Sequence, residues 1–373
     1  MDVIDKLGTA LLMALGMFWK TGWTLVLGFG ISAVLQTLVP AEAMRERMGR
    51  GGTKQIALAA VLGAASSSCS FAAASIMRTL FKKGASLVTS LAFLFAATNL
   101  VIELGVILYL LMGWEFMVAE WLGGIALIAA MSLIVTLTYP TKLAEAAREH
   151  PEADGGGHNH GSAHDSDDSW TERLKRPETR GKIAQAFTME WGMLWKDLAI
   201  GFLIGGFVSV FVPTEFWQHL FLVDAPAWLR VPFNAAIGPI IAMLTFVCSI
   251  GNVPLAAVLW GGGATFGGVI AFLYGDLIVL PLIDVYRRYF GWKMALYIAL
   301  VLFASMVIAA IGVDLIFSWA GLVPKAGTDI RRDLTTFSVD YTFWLNLAFG
   351  AIGLWLWRTS RKQPVQAKSH CCH

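Results

Sequence analysis

The chain has 373 residues, is 57% hydrophobic and 14% charged, and carries a formal net charge of +2. Charged residues make up about a quarter of an ordinary soluble domain. Such a domain is therefore excluded, and apolar runs of about 20 residues, each long enough to span a bilayer, recur along nearly the whole length. So small a net charge leaves no footprint for nucleic acid, and the distribution of Lys and Arg reports membrane topology instead.

The chain opens with an apolar stretch at 7–20, short for a span and closed by the interfacial pair Trp19-Lys20. It is echoed at 183–196, with identities at Ala10/Ala186, Met13/Met189, Gly16/Gly192, Met17/Met193, Trp19/Trp195 and Lys20/Lys196. Each copy reads as an amphipathic or half-buried helix that opens a repeat. Asp2 and Asp5 precede the first run and no clear small-residue cleavage site follows, which predicts that no leader is removed. A span over 22–39 then stops at Pro40, and its counterpart over 198–212 stops at Pro213.

A broken segment comes next, at 55–81 in the first repeat and 234–260 in the second. Placing Cys69 on Cys248 aligns GAASSSCSFAAASIMRTLFKKG (63–84) with AMLTFVCSIGNVPLAAVLWGGG (242–263) without a gap. Ser70 then falls on Ser249 and Gly84 on Gly263. Both copies have apolar flanks and a small, polar, Cys-containing centre; Gly238-Pro239 and Asn252-Val253-Pro254 add helix breakers to the second. A bilayer tolerates such a centre only where it lines a cavity or is buried in protein. Two interrupted segments at matching places point to a transporter's binding site.

Arg45, Arg47, Arg50 and Lys54 precede the first broken segment, and Arg78, Lys82 and Lys83 close it. Basic residues gather on the cytoplasmic side, so the segment enters and leaves on one face as a re-entrant hairpin. A single kinked crossing is the alternative, since a helix rises about 1.5 Å per residue and this segment is long enough to cross. Further spans are expected at 85–112, 117–139, 264–286, 294–319 and 342–357. With hairpins, each repeat has an odd number of crossings, so the second is upside down relative to the first.

The predicted fold class is an all-α polytopic membrane protein. It has two homologous, inverted repeats, each with a broken or re-entrant Cys-containing helix, and one extra C-terminal transmembrane helix. The divisions are a first repeat over 1–140, a linker over 141–182, a second repeat over 183–320, a loop and final helix over 321–358, and a polar tail over 359–373. The linker carries HPEADGGGHNHGSAHDSDD and reads as disordered and cytoplasmic, and the basic tail reads as cytoplasmic too.

The sharpest candidates for chemistry are Cys69 and Cys248, with Ser68, Ser70, Ser249 and Asn252 beside them as substrate-binding groups. Thiols at facing half-helix tips suit a soft ion or metalloid. The alternative is that the cysteines pack as small apolar groups and the polar residues only join helices. Asp276 lies mid-span in AFLYGDLIVLP, where a carboxylate costs about 2.5–3.5 kcal/mol on insertion scales and is functional by default. It is the candidate for coupling a proton or cation, with Glu103 and Asn99, one turn apart on one helix face, as the equivalent in the first repeat. Asp314, nearer a span end, is a weaker candidate.

The four cysteines make no disulfide framework and suit reduced thiols or soft-metal ligands. His158, His160 and His164 in the linker, and His370, Cys371, Cys372 and His373 at the tail, are candidate metal ligands. The alternatives are a solvated linker and an unstructured end. No P-loop, nucleophile elbow, HExxH or dinucleotide fingerprint is present, so neither an enzyme nor a cofactor is expected.

At SSSCSFAAASIMRTLFKKGASLVTSLAFLFAATNLVIELG and FVCSIGNVPLAAVLWGGGATFGGVIAFLYGDLIVLP the chain resembles the ArsP-type permeases. The resemblance covers both repeats and implies efflux of a metalloid or related toxic species, trivalent organoarsenicals among them, with no catalysis. Where that family shows a Pro-x-Cys-Ser-Cys pattern, this chain has the single Cys69 in a serine run, which leaves a heavy-metal cation open as substrate. The implied partners are the lipid bilayer of an inner or plasma membrane, a small metal or metalloid substrate and a coupling proton or cation. A homo-oligomer is compatible with all of this. A permease for a sulfur-containing solute and a membrane scaffold for a metal-handling complex are the competing functions.

Overall fold

A computed structural model describes residues 3–38, 52–67, 70–82, 84–138, 141–148, 176–245, 249–324 and 341–362. Among them there is no strand, and the elements are all helical. They are α1 (Val3–Leu38), α2 (Thr53–Ser66), α3 (Ser70–Lys82), α4 (Leu87–Asn99), α5 (Ile102–Met112), α6 (Trp114–Thr138) and α7 (Thr141–Arg148). The second half holds α8 (Pro177–Phe211), α9 (Thr214–Leu220), α10 (Ala227–Thr245), α11 (Ser249–Gly261) and α12 (Phe266–Tyr274). A 3₁₀ turn (Gly275–Ile278), α13 (Leu280–Phe290), α14 (Trp292–Trp319) and α15 (Tyr341–Lys362) complete it.

Among the described residues, α6, α10 and α14 are each long and apolar enough to cross a membrane. Two bent pairs raise that number to five if each is one span: α4 with α5, bent by 44°, and α12 and its 3₁₀ turn with α13, bent by 43°. The sequence reading has straight spans at 85–112 and 264–286, and the bends correct it. In the second, Pro281 lies in the first turn of α13, where its missing N–H costs nothing. In the first, the helix stops at Asn99, and Leu100 and Val101 leave the helical conformation before Ile102 starts α5.

Three further differences concern boundaries. α1 and α8 are continuous where two elements each are expected; in α1 the junction holds Gly22, which costs a helix only about 1 kcal/mol against Ala. Thr141–Arg148, inside the polar linker, is helical; Ala144 and Ala147 are buried, and Arg148 donates from Nη2 to the Ala85 carbonyl at 3.1 Å. The guanidinium also lies 4.8 Å from the centre of the Phe81 ring. α8 begins at Pro177, so the linker's last residues are its first turns.

Local geometry repeats between the halves. Gly84 and Gly263 have φ of +104° and +100°, a region closed to most side chains. Each closes a matching turn, with Ala85 N donating to Leu80 O and Ala264 N to Leu259 O, both at 3.1 Å. The following N-caps match as well: Ser86 Oγ accepts from Thr89 N, and Thr265 Oγ1 from Gly268 N, both at 3.1 Å.

Two helix pairs, each with one member from either half of the chain, pack antiparallel. Phe18 meets Phe202 at 5.8 Å between ring centres and Phe29 meets Trp191 at 5.2 Å, so α1 and α8 run in opposite directions. Gly206 lies against the Ala10 carbonyl, as small residues allow at close crossings. α6 and α14 behave likewise: Gly123 faces Val313 while Thr138 Oγ1 hydrogen-bonds the Tyr297 hydroxyl at 2.8 Å. The core lies between these pairs, where α4 and α12 are buried along their whole lengths.

Candidate functional site

α2, with 14 residues, and α3 and α11, with 13 each, reach about 20 Å at 1.5 Å per residue. A hydrocarbon core is about 30 Å thick, so each alone is too short to cross it. α2 stops at Ser66, whose hydroxyl donates back to the Gly63 carbonyl at 2.7 Å. Ser67 then takes a left-handed conformation, φ 37° and ψ 70°. α10 ends in the same way, with Thr245 Oγ1 donating to the Ala242 carbonyl at 2.9 Å. A helix N-terminus leaves unpaired N–H groups and a partial positive charge. The two half-helices that follow, α3 and α11, start at Ser70 and Ser249.

Both starts meet at one carboxylate. Ser70 Oγ donates to Asp276 Oδ2 at 2.9 Å and Ser249 Oγ to the same oxygen at 2.5 Å. Asn99 Nδ2 donates to Oδ1 at 3.3 Å, from the last residue of α4. Asp276 itself sits in the 3₁₀ turn that interrupts α12 and α13, and is 1% exposed. Two helix N-termini and two helix breaks thus converge on one buried acid. Hydroxyl and amide donors offset the cost of burying its charge.

Of the residues picked out from the sequence, the fold brings together Ser70, Ser249, Asn99 and Asp276. Asn252, in the first turn of α11, faces across the helix break instead: its Oδ1 accepts from Thr245 Oγ1 at 3.5 Å, and its buried Nδ2 has no partner. Glu103 does not share a continuous helix with Asn99, because the chain breaks between them; it sits in the first turn of α5, and no hydrogen bond joins it to Asp276. Asp314 caps a helix: Oδ2 accepts from the Gly267 N–H at 2.7 Å in the first turn of α12. Cys69, Ser68 and Cys248 lie outside the described residues, as do His158, His160, His164, His370, Cys371, Cys372 and His373. Among the described residues no group of three or more His, Cys, Asp or Glu side chains is arranged to hold a metal.

Glu120 is a residue that sequence reasoning missed. It is wholly buried on α6, and neither carboxyl oxygen has a hydrogen-bond partner. Tyr274, two residues before Asp276, donates its hydroxyl to the Glu120 backbone carbonyl at 2.7 Å. The signal was present: Phe116, Glu120, Gly123, Gly124 and Leu127 form one helix face, and all are buried. Lying close to the start of its span, Glu120 reads as an interfacial acid when the helix is taken alone.

Apolar helices of spanning length, with the first residues of two short helices meeting at one buried acid, define a polytopic membrane permease. The chain belongs to the ArsP_1 family, described as "Predicted permease", whose pattern matches residues 6–314. It is also similar to a Mycobacterium tuberculosis protein named "Putative permease Rv2963", with 42% identity over 309 residues, 81% of this chain and 75% of that one. No solved structure matches.

Proposed function

We propose that this permease exports a soft metal or metalloid species, organoarsenical-like, by ion-coupled alternating access across an inner or plasma membrane. One observation carries the reading: Ser70 and Ser249, each next in sequence to a cysteine, donate to the same oxygen of Asp276. Cys69 and Cys248 are the residues that precede those two serines in sequence, and thiolates are the preferred ligands of soft ions. Asp276 is the coupling group, since an ionisable residue at membrane depth marks an ion or proton pathway. Ser68, Asn252 and Glu103 complete the proposed lining.

The repeats are inverted in this reading, which the antiparallel α1–α8 and α6–α14 pairs support. Half-helix termini that meet at mid-membrane are the usual site of such transporters. The linker and tail face the cytoplasm, where the basic residues gather, and their His and Cys clusters collect the metal ahead of export.

The test is uptake into everted membrane vesicles of arsenite, methylated trivalent arsenic, Zn²⁺ and Cu(I), with wild type beside the Cys69→Ser/Cys248→Ser variant. Uptake of one soft species that vanishes in the variant is expected. Uptake indifferent to both substitutions would discard the thiol site, and no uptake of any probe would discard the substrate class.

A further inference from the structure

α3 and α13 lead away from the Asp276 centre and end together. α3 begins at Ser70, whose hydroxyl donates to Asp276, and α13 begins at Leu280, shortly after Asp276 in the chain. At their far ends the Phe81 and Phe290 rings meet edge to face, 5.7 Å between centres. Those ends lie about 15 Å from the centre at about 1.5 Å per residue. A hydrocarbon core is about 30 Å thick, so with Asp276 at mid-membrane both ends reach the headgroup level.

Arg78, one turn before the end of α3, is half-buried, and its guanidinium lies over the Tyr289 ring of α13, 4.7 Å from the ring centre. Its Nε and Nη2 are buried, and among the described residues neither has a hydrogen-bond partner. These two nitrogens form one edge of the guanidinium, the edge that takes both oxygens of a phosphate or carboxylate side-on. A buried donor without an acceptor is costly, and here both donors of one fork are empty. Arg148 and Arg230 differ, since each gives Nη2 to a turn carbonyl, of Ala85 at 3.1 Å and of Gly263 at 2.8 Å. α3 has no acid, and the one on α13, Asp284, is already shared by Arg287 and Arg288.

The surroundings favour an anion at the membrane surface. Lys82 stands one turn beyond Arg78, and Arg148 of α7 lies over the Phe81 ring, 4.8 Å from its centre. With two arginines on one carboxylate in α13, positive charge is in excess at this end. The opposite end of the helix pair is apolar: Phe71 and Leu280, in the first turns, are 45% and 47% exposed. Positive charge at headgroup level and apolar side chains towards mid-membrane match a phospholipid, phosphate outwards and acyl chains inwards. A soluble phosphate has no use for the apolar end. An arginine stem is long enough to snorkel, so the fork reaches the surface by turning off Tyr289 while α3 stays in place.

We propose that Arg78 anchors the phosphate of an anionic phospholipid seated on α3 and α13, with Nε and Nη2 each donating to one phosphate oxygen. The basic residues place this lipid in the cytoplasmic leaflet. Its depth, though not the contact, rests on Asp276 lying at mid-membrane. The lipid fastens to the bilayer the same helix that starts with Ser70, so membrane composition acts on the Ser70–Asp276 contact.

Native mass spectrometry of the purified protein in detergent, with phosphatidylglycerol or phosphatidylcholine added, counts the lipids retained. Wild type should hold one phosphatidylglycerol in preference to phosphatidylcholine. Arg78→Gln should weaken that binding by about fivefold or more, the worth of one basic contact at an anionic surface. Arg78→Lys keeps the charge but not the fork, and should keep only part of the affinity. Arg361→Gln, on α15, which packs against α1 and α8, should change nothing. Equal retention by wild type and Arg78→Gln overturns the anchor, and an equal loss in Arg361→Gln reduces it to general attraction by a basic surface. Excess inorganic phosphate should leave the lipid bound; displacement would make this a site for a soluble anion instead.

Thermal unfolding gives a second reading. Phosphatidylglycerol should raise the unfolding temperature of wild type and not that of Arg78→Gln; a rise in both overturns the anchor. If Arg78→Gln does not fold, Arg78→Lys carries the comparison, and full lipid affinity there overturns the side-on contact. Both measurements need no transported substrate, so their outcome is separate from that of the export assay.

Discussion

The hydroxyls of Ser70 and Ser249, residues in opposite halves of the chain, donate to a single oxygen, Asp276 Oδ2. Each begins a half-helix, so the acid fastens two helix N-termini together. A carboxylate is favoured there by the partial positive charge of both termini.

Because the two serines share an acceptor, their removal should not be additive. Ser70→Ala or Ser249→Ala alone leaves Oδ2 one donor, and each should cost about 1.5–3 kcal/mol, the range for a hydrogen bond to a charged group. The double variant leaves a buried charged oxygen bare of hydroxyl donors and should cost more than the sum. Thermal unfolding of the four proteins in detergent forms the cycle; strict additivity would mean that the serines act on separate groups.

Asp276→Asn keeps the shape of the side chain and removes its charge. Hydrogen bonds to charged groups contribute about 1.5–3 kcal/mol against about 1 for neutral ones, so a modest loss of stability is expected. Binding of the arsenical probe should survive, while accumulation against its gradient should not. Unchanged accumulation in vesicles would remove the coupling role.

Gly63→Ala tests the close approach of α2 to α4. A Cβ at Gly63 would stand 2.6 Å from the Phe93 carbonyl oxygen, which is backbone and cannot swing aside. Overpacking of this kind costs about 1–3 kcal/mol. The unfolding midpoint should fall, and Gly84→Ala, where space is open but φ is +104°, should also destabilise, through backbone strain alone.

Asp314→Ala removes the acceptor of the Gly267 N–H in the first turn of α12. The loss should be that of a helix cap, about 0.5–2 kcal/mol. Transport per folded molecule should be unchanged, since Asp314 makes no hydrogen bond to the Asp276 centre. A specific transport defect at normal stability would make it part of the pathway instead.

The sequence by itself determined the membrane class, from apolar runs too long for a soluble core, and it paired Ser70 with Ser249 and Gly84 with Gly263 without a gap. Family membership follows the same blocks. Asp276 was legible as well, because a lone acid in an apolar span is costly wherever it goes. What only the tertiary structure decided is who surrounds that acid. Ser70 and Asp276 are far apart along the chain, and nothing local tells that a hydroxyl on α3 and another on α11 reach one oxygen. The bends at Leu100 and in Gly275–Ile278 were equally hidden, since continuous apolar runs read as straight helices until neighbouring helices compensate the freed backbone groups. Glu120 shows the limit most plainly. Its helix face is readable from periodicity, but whether a buried carboxyl has donors depends on residues from other helices, and that is settled only when the chain is packed.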